Sequence, residues 1–570
     1  MTSGHDAGAE LHAVPAAATG GRLLVETLTG HGVDTVFGIP GIDNLEIFRH
    51  LGESGIRHIT PRHEQGAGYA AYGYARVTGR PGVVLTTAGP GLLNAAAAAG
   101  QAYSDSVPVL FLSAGPPRGQ EPGDGLLHEV KDQTGAMNAI CAWSERADGP
   151  GMLKELLGKA FREFRTCRPR PAHVEIPADV LADVVADVLA TEAAWAGPGE
   201  NPPAGGGERA PAEELSGPGG IEHAARLLAG ARRPVVIAGG GARAASAAVT
   251  CLAEETGAPV ITTANGKGVI DEDHRNALGA ALHLESARDF LRRADVVIAV
   301  GTELSDTDTW SGPLALTGDV IRVDIDPGQS HRNAVAACAL TGDADAVLRR
   351  VLAALGSVPD RAGASGAYLR EIAGVRARIE AEHAGLGAPW AGLIDAMRAA
   401  MPPEAVLTSD SSMVCHYGAI KGFRVPAPDS FLHPTGFGTL GFALPAAIGA
   451  LAGRPERPVV ALTGDGGLQF TVNELATAVM LGKPLPVVIV DNGGYGSVRR
   501  EQARLGVAPL GTDLPSPDFA ALAAAYGAHG VAAGSPGSVA AEISAALERP
   551  GPTLITIPEH SLTTPEGCDE

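Results

Sequence analysis

The sequence predicts an α/β protein made of three doubly wound parallel-sheet domains. Three observations predict it. Short β-branched runs such as Val83-Val84-Leu85, Val235-Val236-Ile237 and Val487-Val488-Ile489 recur along the chain, each closed by a Gly-rich turn. Helix-like stretches follow those turns, and strand, crossover helix and strand in that order form a right-handed parallel unit. Two stretches rich in Pro, Gly and Ala interrupt the pattern, and 570 residues suffice for three cores.

In chain order, residues 1–20 carry Asp6 and Glu10 and no basic-apolar signal pattern, and are expected to be a disordered lead-in. The first domain is expected over 21–185. Thr35-Val36-Phe37 runs into a Gly/Pro turn, and Val83 to Thr87 leads to Gly89-Pro90-Gly91 and a small-residue helix, Leu92–Gln101. A linker is expected over 186–220. The central domain, 221–355, reads as Rossmann-like. Its turn Gly239-Gly240-Gly241-Ala242-Arg243-Ala244 fits the dinucleotide fingerprint in form, yet no acidic residue ends a second strand at the right distance. A structural strand–helix turn is the better reading. A second linker, 356–389, leads to the third domain, 390–560, and a tail, 561–570.

The formal charge of −21 argues against nucleic acid or an anionic membrane as partner. No apolar run reaches the ~20 residues that span a bilayer. Six scattered cysteines without a CxxC pair read as reduced thiols of a cytoplasmic protein.

The chemistry concentrates between Arg457 and Arg499. Two strand-like runs end in polar turns, Gly464-Asp465-Gly466-Gly467 and Asp491-Asn492-Gly493-Gly494, and open α/β sheets bind ligands at such carboxyl ends. Asp465 offers a carboxylate, Asn492 an amide oxygen, and the glycines open carbonyls. Hard oxygen donors without Cys or His suit Mg²⁺ or Ca²⁺, and Mg²⁺ held by so few groups completes its shell with water and phosphate. Gly466 and Gly467 would expose N–H groups to that phosphate.

Gly464-Asp465-Gly466, with Asp491-Asn492 following, resembles the diphosphate–metal motif of thiamine diphosphate (ThDP) enzymes. The resemblance implies that Asp465, Asn492 and Gly494 hold Mg²⁺, and that Gly464, Gly466, Gly467, Tyr495 and Gly496 border the diphosphate. Thr60 to Gly68 is similar to the family's catalytic-glutamate segment, which implies that Glu64 contacts N1′ of the aminopyrimidine. Gly89 to Asn94 and Ala102 to Pro108 are similar to neighbouring segments, implying cofactor contacts at Pro90 and Asn94. Pro434 to Phe442 resembles the segment that wraps the aminopyrimidine. A carbonyl near Gly438 would take the 4′-amino hydrogen bond, and Leu440 would support the bent cofactor where relatives often carry methionine. The family's reaction decarboxylates a 2-oxo acid and stores the electrons as an enamine, which yields an aldehyde or a carboligation product. A homodimer or homotetramer with sites between subunits is implied.

Within the family the chain resembles the acetolactate synthase-like branch, with three departures. Leu127-His128-Glu129 replaces Phe-Gln-Glu. Glu303-Leu304-Ser305-Asp306-Thr307 replaces the flavin-contacting Arg-Phe-Asp-Asp-Arg. Tyr495-Gly496 follows the metal turn, with no tryptophan beyond it. The departures argue against FAD. The pattern is more like that of 5-guanidino-2-oxopentanoate decarboxylases. His128 is therefore a candidate for substrate binding or proton transfer, with Glu129, Asp132 and Asp306 as candidate partners of a guanidinium. His63 and His433 could face the cofactor. Two other readings remain: an acetolactate synthase-type carboligase, and a non-catalytic nucleotide-binding protein of the same fold.

Overall fold

A computed structural model of the chain describes residues 19–120, 123–183, 218–358 and 365–562. Three six-stranded sheets follow one another, and every strand pairing within them is parallel. The first contains β1 (Thr35–Gly38), β2 (Arg57–Ile59), β3 (Gly82–Thr86), β4 (Val109–Gly115), β5 (Trp143–Arg146) and β6 (Ala172–Pro177), in the order β2-β1-β3-β4-β6-β5. The second contains β7 (Pro234–Ala238), β8 (Val260–Thr262), β9 (Ala277–Gly279), β10 (Val296–Val300), β11 (Asp319–Asp324) and β12 (Cys338–Thr341), in the order β12-β11-β10-β7-β8-β9. That is the winding of dinucleotide-binding folds, with its switch point between β7 and β10. The third contains β13 (Val406–Ser409), β14 (Phe431–Leu432), β15 (Val459–Gly464), β16 (Leu485–Asp491), β17 (His529–Ala532) and β18 (Pro552–Pro558), in the order β14-β13-β15-β16-β18-β17.

The central strands β3, β4, β15 and β16 are buried almost throughout, as β-branched runs covered on both faces should be. Helix Glu64–Thr78 of the first sheet packs on helix Ala443–Gly453 of the third. One apolar core embraces both, from Tyr69, Tyr72 and Phe111 to Phe442, Leu444 and Ile489. Both helices are rich in Gly and Ala, and small side chains let their backbones approach.

At the switch point of the second sheet the glycines have a packing reason. Gly241 N donates to Gly301 O at 2.9 Å, and a β-carbon on Gly239 would lie 2.4 Å from that same oxygen. The Gly239 turn thus presses directly on the turn after β10.

The expected lead-in, 1–20, lies outside the described residues up to residue 18, as does the tail from 563. Only 218–220 of the expected linker 186–220 is described, and it opens helix Pro218–Gly230. Within the stretch 356–389, Gly366–Leu386 forms a 21-residue helix whose Tyr368, Ile372, Val375 and Ile379 pack beneath the central sheet.

Candidate active site

Strand ends of the third sheet build an oxygen-rich pocket wall. β15 stops at Gly464, and Asp465 opens the short helix Asp465–Leu468. Asp465 Oδ1 accepts from Asn492 N at 3.3 Å, and Oδ2 accepts from Gly494 N at 2.8 Å and Ser516 Oγ at 3.2 Å. Burial, seconded by the Asp491 carboxylate, still pushes the Asp465 carboxyl above its ordinary value. A cation beside it would reverse that push. Asn492 Oδ1 is buried and accepts no hydrogen bond. A β-carbon on Gly466 would meet the Tyr495 ring at 3.0 Å and Gly494 O at 3.4 Å, so the missing side chain keeps this cradle open. Gly496 is equally constrained, because its β-carbon would lie 2.5 Å from Asn492 Nδ2. One carboxylate, one orphaned amide oxygen and a nearby carbonyl fit Mg²⁺. Among the described residues no cluster of three His, Cys, Asp or Glu offers a competing site for a softer metal.

The end of β13 contributes residues that sequence reasoning passed over. Ser412 Oγ is buried without a partner, and its Cβ faces Gly464. The strand-then-Asp-Ser-Ser pattern at 406–412 was the available signal. Asp410 is fully buried and accepts from Ser411 N at 2.8 Å, Gly441 N at 3.0 Å and Thr463 Oγ1 at 3.2 Å. It therefore pins the 434–442 segment to β15. From below, Gln101 Oε1 accepts from Thr439 N and Oγ1 at 3.2 and 3.0 Å, and Asp105 accepts from Thr435 Oγ1. Held at both ends, the segment leaves Gly438 exposed at φ +66° and Leu440 half-buried.

The first sheet builds a second wall. Glu64 begins helix Glu64–Thr78, and His63 caps it by accepting from Gln65 N at Nδ1, 3.2 Å away. Asn94 Nδ2 donates to Glu64 Oε2 at 2.9 Å. A β-carbon on Gly91 would lie 3.3 Å from Glu64 Oε1, so the Gly89-Pro90-Gly91 turn faces the carboxylate, with Pro90 exposed on it. Gly89, at φ +56°, donates its N–H to Gln133 Oε1 at 2.7 Å, and Gln133 Nε2 reaches Ser113 Oγ and Ala114 O on β4. Glu64, Pro90 and Asn94 are thus together.

His128 joins them from behind. Its backbone sits at φ +64°, its carbonyl presses on Gly89, and its Nδ1 lies 3.5 Å from Asp43 Oδ2. Asp43 also accepts from Ala88 N at 2.9 Å, while its buried Oδ1 has no partner. The three candidate acids are placed differently. Glu129 accepts from the N–H groups of Gly123, Gly125 and Leu126, which hold its carboxyl below the usual range. Asp132 caps helix Gln133–Asn138, accepting from Gly135 N at 2.7 Å. Asp306 is exposed at the start of Asp306–Thr309. His433 is buried against Ser409 and His416, and burial holds it well below its ordinary value.

A glutamate wall on the first sheet and an oxygen-donor wall on the third point to the class: an α/β enzyme that binds a phosphorylated cofactor. The chain belongs to the thiamine pyrophosphate enzyme family. Residues 18–136 match its N-terminal TPP binding domain, 221–351 its central domain and 412–557 its C-terminal TPP binding domain. A Pseudomonas aeruginosa protein described as probable 2-ketoarginine decarboxylase AruI is 42% identical over 511 residues, covering 89% of this chain and 88% of that one. The acetolactate synthase of Mycobacterium bovis is 33% identical over 533 residues, 90% and 83% of the two chains. The large subunit of acetolactate synthase isozyme 2 of Escherichia coli is 32% identical over 551 residues, 94% and 95%. No helix among the described residues is long and apolar enough to cross a membrane.

Proposed function

We propose that this ThDP-dependent enzyme decarboxylates 5-guanidino-2-oxopentanoate (2-ketoarginine) to 4-guanidinobutanal and CO₂, with Mg²⁺ as its metal. The observation that carries the metal and cofactor assignment is Asn492 Oδ1, buried and unpartnered beside Asp465. Asp465, Asn492 and the Gly494 carbonyl would hold Mg²⁺. Gly464, Gly466, Gly467, Tyr495 and Gly496 would border the diphosphate, with Ser412 adding a hydroxyl. The Gly438 carbonyl would accept from the 4′-amino group, Leu440 would fill the space under the rings, and Pro90 and Asn94 would flank the pyrimidine.

ThDP, when bound, would supply a nucleophilic carbon for the 2-oxo group and an electron sink for the loss of CO₂. The chain's residues manage protons and position. Asn94 fixes Glu64 Oε2 and so turns Oε1 toward the Gly91 turn, where it can exchange a proton with N1′. Asp43, facing Nδ1 of His128, would hold that atom's N–H and leave Nε2 as the proton-accepting atom toward substrate. Glu129 and Asp132 are occupied by their own loop and helix, which weakens their claim to the guanidinium.

Large exposed apolar residues border both walls: Ile42, Leu93 and Leu127 beside the glutamate half, Phe470 and Val498 beside the metal half. They support a homodimer or homotetramer in which a second copy completes each site. Five free cysteines among the described residues support a reducing compartment, the cytoplasm.

Likeness to two acetolactate synthases over most of the chain favours a second reading, carboligation of 2-oxo acids. Product analysis separates the two. Purified protein with ThDP and Mg²⁺ is given 5-guanidino-2-oxopentanoate or pyruvate, and CO₂, aldehyde and acetolactate are quantified. Aldehyde from the guanidino acid alone is the expected result; acetolactate from pyruvate would replace this reading with the second.

A further inference from the structure

Glu474 is 1% exposed and has no lysine, arginine or histidine side chain in an ion pair with it among the described residues. Its oxygens instead gather N–H and O–H donors. Oε1 and Oε2 accept from Arg62 N at 3.0 and 3.1 Å, Oε1 accepts from His63 N at 2.9 Å, and Oε2 accepts from Thr477 Oγ1 at 2.7 Å. Arg62 is 412 residues away in sequence, and its own guanidinium turns toward Thr60 O and the Met480 sulfur.

We propose that Glu474 is a positioning residue for Glu64: its carboxylate clamps the two peptide N–H groups that precede the Glu64 helix and ties that helix to the metal-turn segment of the same chain. His63 is the helix N-cap, with extended dihedrals of −153° and 146°. Fixing its N–H and that of its predecessor fixes the direction in which the first turn, and hence the Glu64 side chain, leaves the loop. The clamp is sterically exacting. A β-carbon on Gly66 would lie 2.3 Å from Glu474 Oε1, so glycine is what lets the carboxylate under the first turn. Glu474 closes the 3₁₀ turn Val472–Glu474 just beyond helix Asp465–Leu468, and Thr471 Oγ1 between them donates to Gly441 O at 2.7 Å. One short segment therefore touches the metal turn, the pyrimidine segment and the start of the Glu64 helix.

The proposal rests on the assigned role of Glu64, and its test separates the two. Hydrogen exchange by mass spectrometry follows peptides spanning 60–66 in the cofactor-free full-length protein, for wild type, Glu474→Ala, Glu474→Gln and Gly66→Ala. Amides 62 and 63 should exchange about tenfold faster in Glu474→Ala and less so in Glu474→Gln, which keeps one acceptor oxygen. In the loaded enzyme kcat should fall about tenfold in Glu474→Ala, with partial rescue in Glu474→Gln and a Kd for Mg²⁺ and ThDP within about twofold of wild type. Gly66→Ala should reproduce the kcat loss although alanine is the better helix former. Unchanged exchange at 62 and 63 in Glu474→Ala would overturn the clamp, as would unchanged kcat in Gly66→Ala. Should Glu474→Ala fail to fold, Glu474→Gln and Gly66→Ala decide on the same readouts. Failure of the Glu64 role itself would show separately, as full activity in Glu64→Gln with the clamp amides still protected.

Discussion

Gly449 and Ala70 meet backbone to backbone: a β-carbon on Gly449 would lie 1.8 Å from the Ala70 carbonyl oxygen. The contact is reciprocated one turn along, where a β-carbon on Gly73 would lie 2.1 Å from Ala446 O. These two glycines seat helix Glu64–Thr78 on helix Ala443–Gly453 and so bring the first sheet to the third. Gly449→Ala should destabilise the protein by about 1–3 kcal/mol through overpacking, seen as a lower melting temperature. Gly158, inside helix Pro150–Thr166, is the control, because a β-carbon added there would meet nothing within 4 Å. Gly158→Ala should raise stability by about 0.5–1 kcal/mol.

Asn94 is exposed, so its removal should leave the fold intact while freeing Glu64. Asn94→Ala should reduce kcat about tenfold, the worth of one charge-assisted hydrogen bond. Steady-state kinetics beside a thermal melt would check it, the melt moving little.

Asn492 and Asp465 should separate metal binding from stability. Asn492→Leu deletes an oxygen that has no partner in the protein, so the metal-free melting temperature should hold or rise. Mg²⁺-dependent activity should nonetheless fall by about a hundredfold. Asp465→Ala breaks bonds to Asn492 N, Gly494 N and Ser516 Oγ, and should lower both the melting temperature and activity. Calorimetry in EDTA and a Mg²⁺ titration of turnover measure the two effects.

His173 makes the fold acid-sensitive. It is fully buried on β6 between Ser113 and Ser144, and burial depresses it to about 3. The unfolded chain binds this proton from about pH 6.5 downward, whereas the folded chain does not until about pH 3. Stability therefore declines across that window as pH falls, by about 2 kcal/mol at pH 5. His173→Gln should flatten the decline in melting temperature between pH 7 and pH 5.

What the sequence made legible followed from local patterning. The strands β3, β7, β15 and β16 announce themselves as β-branched runs, and Asp465 and Asn492 are readable because each directly follows one. Asn473 to Leu481 is helical in composition, yet it is broken into a 3₁₀ turn, Val472–Glu474, and a helix, Leu475–Leu481. Tertiary bonds explain the break: Thr471 turns to Gly441 and Glu474 to Arg62 and His63. Helix Leu92–Gln101 is likewise two helices, Pro90–Asn94 and Ala96–Asp105. The long helix Gly366–Leu386 was readable in the spacing of Tyr368, Ile372, Val375 and Ile379, but its polar, glycine-bearing surroundings resemble a linker. Asp43 and Gln133 gave no local signal, because each acquires its partners only when distant strand ends come together.

The first and third sheets share one winding, and their functional turns occupy corresponding addresses. Gly89-Pro90-Gly91 follows the third strand of its sheet, and Gly464-Asp465-Gly466 follows the third strand of the other. Asp43 lies beyond the first strand of one, and Asp410 to Ser412 beyond the first strand of the other. A duplicated ancestral unit leaves this kind of trace. In such a history the corresponding turns diverged, Gly89-Pro90-Gly91 coming to face the Glu64 carboxylate and Gly464-Asp465-Gly466 carrying a carboxylate of its own.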